Sequence, residues 1–239
     1  MVSAVQKRFF KIFSSVFILT ETVLVLNLLK NRRDPNCLTG AGCGRHTSIE
    51  SNLTKGVTTM TIAVIYGGSR PRGNTELLTE RAVEGLHVER FYLKDAHILP
   101  IEDKRHTESG FSKVEDDYGI LIQHILMCDT IIFATPIYWY GMSGLMKNFI
   151  DRWSQTLRDQ QFPDFKKRMA EKNIYVIAVG GDKPRIKGLP LIQQFAYIFG
   201  FLGMHFDGYI LGEGNKPGDI VQDKEAILAA DQLNETLKR

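Results

Sequence analysis

A glycine-rich loop between an apolar run and a helical pattern constrains the fold more than any other feature of the chain. The loop, Gly67-Gly68-Ser69-Arg70-Pro71-Arg72-Gly73-Asn74-Thr75, follows residues 61–66 and precedes the helical pattern of residues 76–86. A buried strand, a loop of small residues and a helix N-terminus form an anion site, because free backbone N–H groups and the positive end of the helix dipole converge there. The sequence therefore predicts a phosphate-binding loop.

Strand and helix patterns alternate from residue 61 to the end of the chain. The strand patterns cover residues 61–66, 87–93, 130–135, 174–179 and about 206–211. The first helical pattern begins at Asn74 or Thr75, and the second begins at Ser112 with a capping-box pattern. Further helical patterns cover residues 145–157, 189–202 and 226–237. Right-handed crossovers between such units predict an α/β fold with a doubly wound, five-stranded parallel sheet.

The strand order decides where a ligand binds in such a sheet. In the flavodoxin-like order 2-1-3-4-5, which we expect here, the order reverses between strands one and three, and ligands bind there beyond the strand C-ends. The glycine-rich loop follows strand one. The loop after strand three is Pro136-Ile137-Tyr138-Trp139-Tyr140-Gly141, and its three aromatic residues suit a flat ring better than a phosphate. The two loops together predict a bound mononucleotide.

Polar groups of the first loop are the candidate ligands of the phosphate. They are the side chains of Ser69, Asn74 and Thr75, the backbone N–H groups of Gly73, Asn74 and Thr75, and the charge of Arg70 or Arg72. The loop lacks both the Gly-Lys-Ser/Thr of a P-loop and the G-x-G-x-x-G of a dinucleotide site, which favours a mononucleotide. An ordinary strand-to-helix turn with a capped helix is the alternative.

A third loop, Gly180-Gly181-Asp182, ends the fourth predicted strand. Gly180 and Gly181 are candidates for the other edge of the ring, and a plain turn is the alternative. Lys183, Arg185 and Lys187 follow, and they are candidate contacts for the phosphates of a nicotinamide nucleotide. A solvated basic loop is the more ordinary interpretation of these three residues.

Charge and composition exclude several classes of function. Residues 60–239 hold 22 basic and 24 acidic residues, so they lack the basic excess of a nucleic-acid-binding protein. We recognise no metal-binding histidine spacing and no Ser/His/Asp or Cys/His set, and we name no catalytic side chain and no metal ligand. Cys37, Cys43 and Cys128 cannot form a disulfide framework, which favours a reducing compartment and a cytoplasmic location.

Residues 1–59 are expected to be an extension outside the core, and residues 60–239 the folded domain. The extension combines an apolar segment at about residues 9–29 with a linker rich in Gly, Ser, Thr and Asn. Glu21 interrupts the apolar segment, where a carboxylate is costly in a bilayer, so a membrane anchor is the less favoured interpretation. The alternative is an over-called translation start, with Met60 as the true first residue.

Three segments resemble the NADPH-dependent FMN reductase branch of the flavodoxin-like superfamily. They are IAVIYGGSRPRGNT at residues 62–75, DTIIFATPIYWYGMSGLMKNFIDRW at residues 129–153 and VIAVGGD at residues 176–182. The second segment is the most specific of the three, and the resemblance covers about residues 60–239.

The resemblance implies non-covalent FMN and hydride transfer from NAD(P)H through the flavin to an acceptor. A quinone, a nitro or azo compound, a metal ion and free flavin are the candidate acceptors. By position, the resemblance assigns the FMN phosphate to Ser69, Arg70, Asn74 and Thr75. It assigns the isoalloxazine ring to the second loop, which consists of Pro136, Ile137, Tyr138, Trp139, Tyr140 and Gly141. It places Gly180 and Gly181 near the ring. It also implies a homodimer or homotetramer with the flavin near the subunit interface.

One segment departs from a neighbouring branch of the superfamily. Residues 98–111 lack the cysteines that iron–sulfur flavoproteins carry there, so we expect no iron–sulfur cluster. We interpret the segment as an arm over the flavin or toward a partner subunit. Two alternatives to a reductase stay open: a flavodoxin-type FMN electron carrier, and a regulatory or interaction domain that binds no flavin.

Overall fold

The computed structural model describes residues 60–239. The expectations for residues 1–59, which concern the apolar segment, the linker and the translation start, lie outside the described residues. Within residues 60–239, no helix combines the length and the apolar character that crossing a bilayer requires.

Five parallel strands form one sheet in the order β2-β1-β3-β4-β5. The strands are β1 (Ile62–Tyr66), β2 (Val88–Tyr92), β3 (Thr130–Pro136), β4 (Asn173–Gly180) and β5 (His205–Glu213). β1 and β3 are buried over almost their whole length, because helices cover both faces of the sheet. The predicted fold class and strand order are confirmed.

Helices lie on both faces of the sheet. They are α1 (Asn74–Ala82), α2 (Tyr118–Met127), α3 (Gly144–Asp151), α4 (Trp153–Thr156), α5 (Phe165–Ala170), α6 (Pro184–Lys187), α7 (Leu189–Leu202) and α8 (Lys224–Leu237), with a 3-10 turn at Asp219–Gln222 before α8. Buried residues of α1 and α8 pack on one face, and those of α2, α3, α5 and α7 pack on the other. The single helix predicted over residues 145–157 is divided at Arg152 into α3 and α4.

The second helix begins later than its capping-box pattern predicts. It starts at Tyr118 with Asp117 as the N-cap residue, and not after Ser112. The two aspartates before the helix, Asp116 and Asp117, instead accept hydrogen bonds from the backbone of residues 97–99. Asp117 accepts a hydrogen bond from the N–H of His97 at 2.7 Å, and Asp116 accepts one from the N–H of Leu99 at 3.0 Å. These tertiary contacts hold residues 112–117 in a non-helical conformation.

A buried ion pair fastens the long connection between β2 and α2 to the helical layer. Arg152 Nη1 lies 2.5 Å from a carboxylate oxygen of Asp116, and the two side chains are only 2% and 1% exposed. Arg152 also donates to the carbonyl of Leu99 at 2.9 Å, and its guanidinium lies over the ring of Tyr118 at 4.5 Å. The ends of the connection are therefore held at α3 and α4, whereas residues 102–109 between them are largely exposed.

Candidate functional site

A cavity of about 260 Å³ lies at the C-terminal edge of the sheet, where the connections after β1, β3, β4 and β5 meet. Nine of the thirteen expected site residues line it: Arg70, Gly73, Asn74, Thr75, Pro136, Ile137, Tyr138, Gly180 and Gly181. Trp139 and Tyr140 line a smaller neighbouring cavity, which shares Ile137, Gly180 and Gly181 with the first. Ser69 is exposed, and neither it nor Gly141 lines either cavity.

The first loop presents unpaired backbone N–H groups at the start of α1. Gly73 is the N-cap residue, and within residues 60–239 the N–H groups of Gly73, Asn74 and Thr75 have no hydrogen-bond acceptor. The loop is closed by Glu76, whose carboxylate accepts the N–H of Arg72 at 2.7 Å. Unpaired donors at the positive end of a helix are the arrangement that binds a phosphate.

The side chain of Asn74 is hydrogen-bonded within the protein, although the sequence predicted it as a phosphate ligand and as a possible helix cap. Its amide donates to the carbonyl of Lys216 at 2.8 Å and accepts the N–H of Gly218 at 2.8 Å. Asn74 therefore joins the first loop to the connection after β5, and its backbone N–H is the group left for a ligand. Arg70 is exposed and lines the same cavity, and it forms no ion pair within the described residues.

The second loop is a tight turn with unusual backbone conformations. Tyr138 and Gly141 exchange two backbone hydrogen bonds of 3.0 Å, and the residues between them, Trp139 and Tyr140, have φ angles of 49° and 64°. This type I′ geometry normally holds Asn or Gly, because other side chains are strained at positive φ. Strain of this kind is concentrated at functional sites. The turn leaves Trp139 95% exposed at the rim of the smaller cavity.

A polar cluster borders the smaller cavity, which has a volume of about 170 Å³. Asp182 accepts hydrogen bonds from Tyr140 Oη at 3.1 Å and from Lys187 Nζ at 2.6 Å. The Lys187 ammonium holds the pKa of Asp182 below its usual value, and the carboxylate raises the pKa of Lys187 in turn. Both groups therefore stay charged at neutral pH. Arg185, another predicted nucleotide contact, is instead paired with Asp223 at 2.5 Å.

The two glycines at the end of β4 are required by the protein's own packing. A Cβ atom at Gly180 would lie 3.1 Å from Ile137 Cβ, and one at Gly181 would lie 2.9 Å from Asn215 Cβ. Both residues line the two cavities, and they also allow neighbouring loops to approach closely. Sequence reasoning missed Gly214 and Asn215, although they follow the fifth strand in a Gly-Glu-Gly-Asn run.

Two stacked tyrosines, also missed from the sequence, line the cavity beside the first loop. The rings of Tyr66 and Tyr92 lie 4.7 Å apart at an angle of 12°. Tyr66 Oη donates to Glu80 at 2.5 Å, and burial beside this carboxylate raises the pKa of Tyr66. Tyr92 Oη donates to Glu76 at 3.3 Å. Both hydroxyls therefore stay protonated, and the pair forms a rigid, neutral wall.

No metal or thiol chemistry is visible at the site. Residues 60–239 bring together no group of three or more His, Cys, Asp or Glu side chains that could hold a metal ion. Cys128 is fully buried, and burial raises the pKa of its thiol to about 11, so it is protonated at neutral pH.

Comparisons with known proteins show which family the chain belongs to. The family model "NADPH-dependent FMN reductase" matches residues 60–207. A Bacillus subtilis protein named "Putative NAD(P)H-dependent FMN-containing oxidoreductase YwqN" is 62% identical over 174 residues, which are 73% of this chain and 96% of that protein. The solved structure of the Trp repressor binding protein from Bacillus subtilis has a TM-score of 0.62 and 56% identity, over 72% of this chain and 96% of that one.

A more distant structure shares the fold. An FMN-dependent NADH-azoreductase from Bacillus anthracis, solved in complex with FMN, has a TM-score of 0.51 at 12% identity, over 75% of this chain and 100% of that one. The family match confirms the resemblance read from the three sequence segments and does not favour a flavodoxin-type electron carrier. The chain therefore belongs to the NADPH-dependent FMN reductase family of FMN-dependent NAD(P)H oxidoreductases.

Proposed function

We propose that this chain binds FMN across the two loops and transfers electrons from NAD(P)H to a small-molecule acceptor. The observation that carries the proposal is the unpaired N–H groups of Gly73, Asn74 and Thr75, which border a cavity whose other end is formed by the aromatic turn. A phosphate would accept hydrogen bonds from these donors, and a flat aromatic ring suits the apolar and aromatic lining of Pro136, Ile137 and Tyr138. Bound FMN supplies the hydride chemistry, and the protein supplies position and electrostatics.

The residues of the chain fall into two groups in this proposal. At the phosphate end, the backbone of residues 73–75 donates hydrogen bonds, and Arg70 contributes positive charge beside the cavity. At the ring end, Pro136, Ile137 and Tyr138 lie beside Gly180 and Gly181, and these residues line the cavity together. We assign Ser69, Trp139, Tyr140 and Gly141 to the surroundings of the cofactor, because they adjoin these groups without lining the main cavity.

The smaller cavity is the proposed place for the second reactant. It lies next to the ring end and combines the exposed Trp139 with the charged Asp182–Lys187 pair. An aromatic wall beside a fixed ammonium suits flat molecules with polar substituents. We therefore favour quinones and nitro or azo compounds as acceptors, and metal ions and free flavin are the other candidates.

Anaerobic stopped-flow mixing of the FMN-loaded protein with NADPH and with NADH tests the reductase function. We expect the visible flavin absorption to bleach in a single turnover and to return when menadione is added. A flavodoxin-type carrier would keep its oxidised spectrum until a separate reductase was supplied. Flavin that stays oxidised in the presence of both nucleotides would contradict the proposal.

We also propose that the protein is a homodimer or homotetramer that associates through α7. Residues 188–204 contain no charged residue, and yet Tyr197 and Phe201 on α7 are 71% and 70% exposed. A surface helix normally carries a polar outer face, so an uncharged and aromatic face indicates a contact surface. Two copies of α7 meet without like-charge repulsion between their own side chains, and the nearest charge is Lys166 of α5, whose Nζ lies 5.5 Å from the centroid of the Phe201 ring.

Sedimentation of the full chain tests this surface. We expect the wild-type protein to sediment as a dimer or tetramer, and Tyr197→Glu to shift it toward the monomer because the interface would bury an unpaired carboxylate. Leu228→Glu is the matched control, since Leu228 is similarly exposed on α8, on the opposite face of the sheet. A wild-type monomer, or equal dissociation in both variants, would exclude α7 as the interface.

Residues 60–239 are the proposed FMN-binding domain, since both loops and both cavities are formed within them. A cytoplasmic location is part of the proposal, because the cysteine usage favours a reducing compartment and Cys128 is a buried free thiol.

A further inference from the structure

Ser143 connects the two loops of the candidate site through its hydroxyl group. It is the N-cap residue of α3 and only 2% exposed. Its Oγ donates to the carbonyl of Gly67 at 2.7 Å and accepts the N–H of Met146 at 3.2 Å. The hydroxyl therefore donates one bond to the first loop and accepts one from the helix that follows the second loop.

The backbone of Ser143 makes a second connection in the same direction. Its N–H donates to Thr135 Oγ1 at 3.0 Å, and this hydroxyl donates to the carbonyl of Pro136 at 3.1 Å. Pro136 is the first residue of the aromatic loop and lines the main cavity. Ser143 and Thr135 thus form a buried chain of hydrogen bonds from the start of one loop to the start of the other.

Close packing makes this connection rigid. A Cβ atom at Gly67 would lie 2.8 Å from Ser143 Oγ and 3.0 Å from Met146 Cβ, so only glycine fits there without displacement. The β1–β3 ladder ends with the N–H of Gly67 bonded to the carbonyl of Ala134. Beyond that bond, among residues 60–239, Ser143 provides the hydrogen-bonded link between the two loops.

We propose that Ser143 is a positioning residue that sets the distance between the phosphate loop and the aromatic loop. The inference rests on the proposed function, in which one FMN molecule contacts both loops. A ligand that bridges two preformed contacts gains affinity from their fixed separation, and it loses that gain when the separation varies. A ligand that contacts only the ring end is not affected in this way.

FMN and riboflavin separate positioning from general loss of structure, because riboflavin has the same ring without the phosphate. We expect Ser143→Ala, measured by fluorescence titration of the full-length apoprotein, to weaken FMN binding about tenfold. Riboflavin binding should change less than about twofold, and Ser143→Thr should restore FMN affinity because it keeps the hydroxyl. Thr135→Val, which removes the other hydroxyl without changing shape, should also weaken FMN selectively.

Thr130→Val is the matched control for loss of a buried hydroxyl. Thr130 lies on the same strand as Thr135 but at its opposite end, where its hydroxyl bonds to Met60. This variant should bind both flavins like the wild type. Equal weakening of FMN and riboflavin in Ser143→Ala and Thr135→Val, or unchanged FMN affinity in both, would overturn the inference. A wild-type protein that binds riboflavin as tightly as FMN would instead overturn the phosphate end of the proposed function, and one that binds neither would overturn the whole of it.

Discussion

Asp116→Ala is expected to lower the free energy of unfolding by about 3–5 kcal/mol, because it leaves the Arg152 guanidinium buried without its partner. The two side chains are 1% and 2% exposed, so water cannot replace the lost contact without local opening. The same carboxylate also accepts the N–H groups of Leu99 and Tyr118. Urea unfolding measures the effect as a lower midpoint with an unchanged slope.

The double variant Asp116→Leu with Arg152→Met is the control for this prediction. It replaces both charges with apolar groups of similar volume, so we expect it to be much less destabilised than Asp116→Ala. Asp103→Ala provides a matched surface control, since its pair with Arg105 is about half exposed. If Asp116→Ala lowered the free energy of unfolding by less than about 1 kcal/mol, the ion pair would not be what fastens the connection between β2 and α2.

Thr75→Asp is expected to weaken FMN binding at least about 100-fold while leaving the fold intact. An aspartate there places a carboxylate among the N–H groups proposed for the phosphate, and the repulsion amounts to about 3 kcal/mol per unit charge at roughly 5 Å. At this largely buried position the favourable interaction with the helix dipole offsets part of the cost of desolvating the carboxylate, so we expect only a small change in the free energy of unfolding.

Thr75→Asn is the uncharged control, because it has nearly the same shape as aspartate. We expect it to keep most of the affinity for FMN in a fluorescence titration. Riboflavin should be much less sensitive than FMN to Thr75→Asp, since it lacks the phosphate. Wild-type affinity for FMN in a well-folded Thr75→Asp protein would place the phosphate elsewhere.

The sheet could be predicted from the sequence because its strands leave a strong local signal. β1 and β3 are short apolar runs followed by loops of distinctive composition, and parallel strands with right-handed crossovers allow few arrangements. The main cavity follows from the same rule, which places ligands beyond the strand C-ends. Applied to β5 as well, that rule would have found Gly214 and Asn215.

The details that sequence reasoning missed depend on contacts between distant residues. Ser112 to Glu115 fits a capping box, but Asp116 and Asp117 are bonded to residues 97–99 and delay the helix. Asn74 looks like a cap or a ligand, and its amide is instead used by residues 216–218. The first helix ends at Ala82 and not near residue 86, because the chain turns with Gly85 at a φ of 76°.

Side-chain positions at the site were harder to predict than its location. Three consecutive aromatics suggested a shared ring contact, yet Tyr138 lines one cavity while Trp139 and Tyr140 line the other. The reason is the turn itself. Its two central residues, Trp139 and Tyr140, have positive φ angles, which aromatic residues rarely adopt. Ser143 did leave a signal, as a serine directly before an amphipathic helix, but its bond to Gly67 requires the folded structure.

A crystal structure of the FMN-loaded protein tests the central claim most directly. We expect the phosphate on the backbone N–H groups of Gly73, Asn74 and Thr75, and the ring beside Pro136 and Tyr138. A cavity filled by the protein's own side chains, or a flavin bound away from both loops, would contradict the proposed site.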